Sequence, residues 1–289
     1  MKTLNSTVSN QSKLKNNRPL KIGFVGAGKD VSLTELSSCF AIWISEKYFF
    51  NYKIPSVAFF QLAPLEDHNR NFFAEYNLDR YIGKYDFVDI FADLLINKTS
   101  KCESIFKMNK LPNSCLGVNW FVPSYNFYNL TNDVSCIEGE NNYNDTIYGV
   151  SSKLFSDDDE ISVVIYNIGL GLKKETLLND MDILIAVSSA SRNHLEDAYE
   201  DINTIEKFRS NGWPFLWIVN DYTKGLPKSF VRKKLRGGNI QFFNNIEAER
   251  LMNCKYNRIF LCEDNEIKDA LWELYKSTFK NFEKLIFRG

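Results

Sequence analysis

The chain predicts a three-layer α/β/α fold, in which a mainly parallel, twisted sheet of about seven to eight strands carries helices on both faces. Two observations lead there. The apolar runs are short and continuous rather than alternating, as strands covered on both faces require. Stretches with helical apolar spacing separate them, and this alternation implies parallel strands joined by helical crossovers.

Residues 1–18 open the chain as a polar Asn/Ser/Lys-rich tail with no apolar core, which reads as a disordered tail and not as a signal peptide. The predicted strands follow at 21–26 (KIGFVG), 56–63 (SVAFFQLA), 117–123 (GVNWFVP), 162–169 (SVVIYNIG), 182–189 (DILIAVSS), 215–221 (FLWIVND), 240–243 (IQFF) and 258–262 (RIFLC). Helices are expected at about 33–49, 87–96, 193–210, 246–253 and 264–286. The segment 125–148, rich in Asn, Tyr and Gly, reads as a long loop or insertion within one domain spanning 19–289.

Composition narrows the function classes. The chain has 289 residues, of which 44% are hydrophobic and 25% charged, with a formal net charge of −1, so nothing draws the whole molecule toward nucleic acid or acidic lipid. Its six cysteines (Cys39, Cys102, Cys115, Cys136, Cys254, Cys262) form no C-x-x-C pair, which speaks against a zinc site or a disulfide framework. No apolar run approaches the roughly 18 residues of a membrane span. These features predict a reduced, cytoplasmic protein. His68 and His194 have no nucleophile motif nearby and read as surface or capping residues, and Asp157–Glu160 reads as an exposed turn.

The stretch GFVGAGKDVSLTELSSC (23–39) admits two registers. In one, Gly23 to Lys29 follows the G-x-x-x-x-G-K spacing of a phosphate loop, but Asp30 stands where a hydroxyl should follow the lysine and would repel phosphate. In the other, Ser32 and Glu35 form a capping box, and Leu33, Leu36, Phe40 and Trp43 make one buried helical face. The second register is preferred, because Phe24 and Val25 continue the strand past Gly23.

In that register, Gly28 to Leu36 (GKDVSLTEL) aligns without gaps on K-G-G-V-G-K-T-T-L, and the chain resembles the MinD/ParA family with its deviant Walker A loop. VAFFQLAP (57–64), GVNWFVPS (117–124), VVIYNIGLG (163–171), the stretch 180–205 and FLWIVNDY (215–222) are similar, in order and spacing, to later motifs of that family. The resemblance covers about residues 20–280 and implies a P-loop NTPase fold. It places the degenerate nucleotide pocket at Lys29, Asp30, Val31, Ser32, Leu33, Thr34, Glu35, Asn167 and Asn220.

The same resemblance shows what is missing. Leu33 stands at the loop lysine, Gly28 at the signature lysine, Ser32 at the loop glycine, Gln61 and Ala63 at the two aspartates after the second strand, and Asn167 at the Walker B aspartate. Thr34 alone keeps the hydroxyl expected to meet Mg²⁺, and Asn220 stands at the adenine-contacting asparagine. Phosphoryl transfer depends on such charges, and each one lost costs several kcal/mol. The expectation is therefore a pseudo-ATPase with no catalytic residue and no required cofactor: a scaffold that positions protein partners, as a homodimer across the degenerate face. The alternative is a divergent ATP-binding switch or weak ATPase, using Mg-ATP in pilus or secretion-system localisation (as implied by atypical TadZ/CpaE-type relatives) or in DNA partitioning. The basic run 224–236 could contact DNA through Arg232, Lys233 and Lys234, but reads more simply as a solvated helix and turn. The amphipathic stretch 266–287, with Ile267, Ala270, Leu271, Leu274, Thr278, Phe282 and Leu285 on one face, is expected to pack on the sheet rather than on a membrane.

Overall fold

The chain builds its sheet first on one side of its opening strand and then on the other. In the computed structural model β1 (Leu20–Gly26) pairs with β4 (Ile161–Leu170) on one side and β5 (Ile183–Ser189) on the other, both in parallel. Outside this pair lie β2 (Ser56–Gln61) and β3 (Val118–Phe121) at one edge, and β6 (Phe215–Tyr222) and β7 (Ile240–Asn244) at the other. Among the described residues the sheet therefore has seven strands in the order β3-β2-β4-β1-β5-β6-β7, every neighbouring pair parallel. The structure describes residues 19–28, 31–49, 56–61, 118–121, 161–170, 175–200, 214–236, 238–257 and 259–280. The tail 1–18, the helix expected at 87–96, the loop 125–148, Ala63, His68, Asp157–Glu160 and Cys102, Cys115 and Cys136 lie outside them.

The continuous apolar runs become strands buried along their whole length: every residue of β1 and of β5 is buried. The helices are α1 (Leu33–Phe49), α2 (Glu175–Asn179), α3 (Arg192–Glu200), α4 (Lys228–Lys234), α5 (Ala248–Asn257) and α6 (Asn265–Lys280). Helix α1 is fastened by aromatic rings. Phe40 lies 5.2 Å from Phe24 of β1 and 5.1 Å from Tyr275 of α6, and Trp43 lies 5.3 Å from Phe279. Such ring pairs add roughly 0.5–1.5 kcal/mol each beyond the area they bury. The Tyr275 hydroxyl donates to the Leu36 carbonyl at 2.7 Å, satisfying a phenol that is fully buried.

Two expectations are corrected here. The expected strand at 258–262 is not formed by its described residues, 259–262. The Ile259 N–H donates to the Cys254 carbonyl at the end of α5, and the chain then coils into a 3₁₀ turn at Leu261–Glu263. Its apolar residues are buried against other elements rather than in a ladder, with the Phe260 ring stacked 5.2 Å from Trp120 of β3. The buried face of α6 is also different. Ile267, Leu271, Leu274, Tyr275, Thr278 and Phe279 form it, while Ala270 is exposed, and Phe282 and Leu285 lie outside the described residues. Helix α2 was not expected from the sequence.

The start of α6 is held by Asp264. Its Oδ1 accepts the N–H groups of Glu266 (3.1 Å) and Ile267 (3.2 Å), and its carboxylate meets Arg250 at 3.0 Å. Desolvation works against the charged carboxyl, but these N–H groups and the Arg250 guanidinium outweigh it and hold Asp264 below the ordinary carboxylate range. A carboxyl depressed in the folded state stabilises above the unfolded-state value of about 3.9 and loses that effect as pH falls through the folded one. Asp264→Ala is therefore expected to cost about 1–2 kcal/mol at pH 7, and much less at pH 3, in urea unfolding of the two proteins side by side.

Candidate functional site

Because the chain leaves β1 toward β2 but leaves β4 toward β5, the strand order reverses around β1. In open α/β sheets ligands bind in the crevice outside the strand ends at such a point. The loop from β1 to α1 occupies this crevice. The Ala27 N–H continues the ladder to the Val187 carbonyl at 2.8 Å. The chain then turns through Gly28, whose φ is 107°, and Ser32, whose φ is 57°. Helix α1 starts at Leu33, and its first bond runs from the Leu36 N–H to the Ser32 carbonyl at 3.0 Å.

The later helix start is thus correct, but its capping geometry is not that of a capping box. A capping serine ordinarily sits in the extended region, whereas Ser32 is left-handed, a conformation natural to glycine that costs other L-residues about 1–2 kcal/mol. Glu35 lies in the first turn of α1, where its carboxylate meets the positive end of the helix dipole.

Two buried asparagines reach the loop, with the half-buried Gln61 beside one of them and the half-buried His194 ring against Gly28. Asn167, near the end of β4 and 2% exposed, stands in register with Gln61 of β2 and Phe24 of β1. Its Nδ2 donates to Thr34 Oγ1 at 3.0 Å. Asn220, near the end of β6 and 3% exposed, donates from Nδ2 to the Val31 carbonyl at 3.3 Å. The remaining oxygens, Gln61 Oε1, Asn167 Oδ1 and Asn220 Oδ1, together with His194 Nδ1, are buried without a partner among the described residues.

His194 is the residue whose part the sequence did not reveal. Ser191 Oγ accepts its backbone N–H at 3.3 Å, and its carbonyl accepts the Ser188 hydroxyl at 3.3 Å, which sets the first turn of α3 beside the loop. A Cβ at Gly28 would lie 2.8 Å from His194 Cδ2 and 3.3 Å from Asp197 Oδ2. The expectation for His194 is corrected: Ser191 is the cap and His194 supplies the capped N–H, while its half-buried ring closes the place where a side chain at 28 would stand. Only its i, i+3 spacing from Ser191 was visible beforehand.

The predicted pocket residues thus fall into two groups. Val31, Ser32, Leu33, Thr34, Glu35, Asn167 and Asn220 come together at the start of α1. Lys29 and Asp30 lie outside the described residues. Leu33, 8% exposed, belongs to the hydrophobic core.

This donor set fits a metal-bound triphosphate poorly. Position 33 offers an alkyl group, position 28 has no room for a side chain, positions 61 and 167 carry neutral amides, and the Thr34 hydroxyl already accepts a hydrogen bond. What the arrangement does well is lock the loop, with one amide holding its Val31 carbonyl and another the first turn of α1.

The architecture, a parallel sheet with a loop-to-helix turn after its central first strand, defines a P-loop-type α/β fold. Comparison with solved structures specifies it as the fold of the MinD and ParA ATPases. MinD from Pyrococcus horikoshii, complexed with Mg-ADP, superposes with a TM-score of 0.62 at 12% identity, covering 93% of this chain and 98% of that one. A ParA family ATPase from Chlorobium tepidum gives 0.58 at 13%, covering 90% and 99%. The MinC:MinD cell division complex of Aquifex aeolicus gives 0.56 at 13%, covering 91% and 96%. At these identities the likeness is one of fold. No protein-family model matches the chain. No curated protein matches it in sequence.

Two substitutions test the loop geometry by thermal or urea unfolding. Gly28→Ala is expected to destabilise by about 1–3 kcal/mol, through the left-handed φ and the His194 contact. Ser32→Gly is expected to stabilise by roughly 0.5–1 kcal/mol, because relief of the left-handed serine exceeds the added chain entropy of glycine.

Proposed function

We propose that this chain is a MinD/ParA-fold protein that does not turn over ATP and acts as a positioning or scaffold protein through protein–protein contacts. The bond from Asn167 to Thr34 carries the reading: the one hydroxyl left for a metal is engaged by an amide standing where an acid would be needed. The core position of Leu33 supports it, since the loop offers an alkyl group where a phosphate needs a cation. The MinC:MinD complex illustrates a protein of this fold assembling with another protein. A cytoplasmic homodimer across the degenerate crevice, formed without nucleotide, completes the proposal.

A second reading, an ATP-responsive switch, draws on the α1 amino terminus and on the unpartnered buried oxygens around it. Neither DNA nor membrane contact gains comparable support. Arg232 and Lys234 of the basic helix lie over aromatic rings, with the Arg232 guanidinium 5.6 Å from Phe242 and the Lys234 amine 6.0 Å from Tyr199. Among the described residues the apolar face of α6 is buried, and no helix is long and apolar enough to cross a membrane.

Thermal unfolding with millimolar ATP, ADP and Mg²⁺, run beside phosphate release and a light-scattering mass, separates the two readings. The scaffold reading expects no rise in Tm, no phosphate, and a mass unaffected by nucleotide. A clear Tm increase with Mg-ATP, or steady phosphate release, would establish the switch instead.

A further inference from the structure

Strand β7 is the end of the sheet among the described residues, three places from β1 in strand order. The Asn239 carbonyl accepts the Trp217 N–H at 2.8 Å. In a parallel ladder successive residues turn alternately to either side, so Asn239, Gln241 and Phe243 address β6. The N–H and C=O groups of Ile240, Phe242 and Asn244 consequently face the open edge. Natural edge strands are usually blunted by lysine, proline or an inward charge, and IQFFN contains none of these.

The two faces beside this edge carry opposite charge. On one face Phe242 lies under α4, with the Lys228 amine 4.9 Å and the Arg232 guanidinium 5.6 Å from its ring. On the other, Gln241 accepts the Ser277 hydroxyl of α6 at 3.1 Å, and a groove of about 470 Å³ runs between β7, α5 and α6. Glu247, Glu266 and Glu273 line that groove; Arg250 pairs with Asp264 at 3.0 Å and Glu266 at 2.6 Å, and Lys276 lies 3.5 Å from Glu273, so these four carboxylates outnumber their two cations.

We propose that the β7 edge is a docking site for an extended peptide segment of a protein partner, added as an eighth strand, with acidic side chains toward α4 and basic side chains toward α6. Successive side chains of a strand point to opposite faces, so one segment of alternating charge satisfies both. A second copy of this chain fits less well. A two-fold axis through the sheet would set α4 against α4 and the acidic groove against its own equivalent, like charge facing like. The inference goes beyond the non-catalytic reading and does not depend on it, since the edge lies away from the β1 crevice.

The test uses the full chain and three blocked, fluorescein-labelled peptides: alternating VKETVKET, acidic VEETVEET and basic VKKTVKKT. Anisotropy should show the alternating peptide binding about tenfold tighter than either control, from two charge contacts of about threefold each. Glu273→Lys should weaken it about threefold. Asn244→Pro, which removes an N–H facing the open edge and leaves the β6 ladder intact, should abolish binding while retaining the wild-type Tm. Hydrogen exchange should slow at the Phe242 and Asn244 amides when the alternating peptide saturates. Any other order of the three peptides, or unchanged exchange at those amides, overturns the proposal. So does slowing that follows protein concentration without peptide, which would place a second copy on the edge.

Discussion

Strand β1 is hydrogen-bonded on both sides, and the geometry of the crevice follows from that constraint. The ladder to β5 runs on past the strand as far as Ala27, so the loop departs from a fixed point. Its other end is fixed because α1 is pinned to the sheet and to α6 by Phe40, Trp43, Tyr275 and Phe279. Between these anchors, residues from β4 and β6 and the start of α3 converge on the loop. A backbone so enclosed tolerates a left-handed serine because the surroundings supply more stabilisation than the strained residue loses.

The proposed loss of phosphoryl transfer rests on charge. Neutral amides are directional hydrogen-bonding groups, and here each spends its N–H₂ on the protein: Asn167 on Thr34, Asn220 on the Val31 carbonyl. The result is a joint between elements more than a cradle for anions. Each buried oxygen left over carries a desolvation penalty of about 1–3 kcal/mol, against which the aromatic packing of α1 provides the counterweight.

Much of this organisation was legible in the residues. Continuous apolar runs became the strands, and the ordered series of motifs led to the MinD/ParA fold that the solved structures share. The helix start at Leu33 was readable from the spacing of Leu33, Leu36, Phe40 and Trp43, but the backbone of Ser32 was not, since Ser and Glu three apart specify side-chain chemistry and leave φ open. RIFLC was misread because an apolar run signals burial and is silent on whether a sheet or a turn supplies it. Tyr275 was missed on α6 because a stripe read from apolar spacing passes over a phenol, whereas packing against α1 buries its ring beside Phe40 and gives its hydroxyl the Leu36 carbonyl. His194 acts only through the proximity of β1 and α3, which no local pattern encodes.

The thiols offer a last consequence. Cys39 of α1, Cys254 of α5 and Cys262 of the 3₁₀ turn are buried, and burial, aided by the nearby Asp264 carboxylate, pushes Cys254 up to about 11. At Cys254 an alkylating reagent near neutral pH therefore meets almost no thiolate and a buried sulfur until the elements around it part. Labelling speed at Cys254, followed on its own peptide by mass, becomes a built-in clock for breathing where α5 meets the core, readable without an added probe.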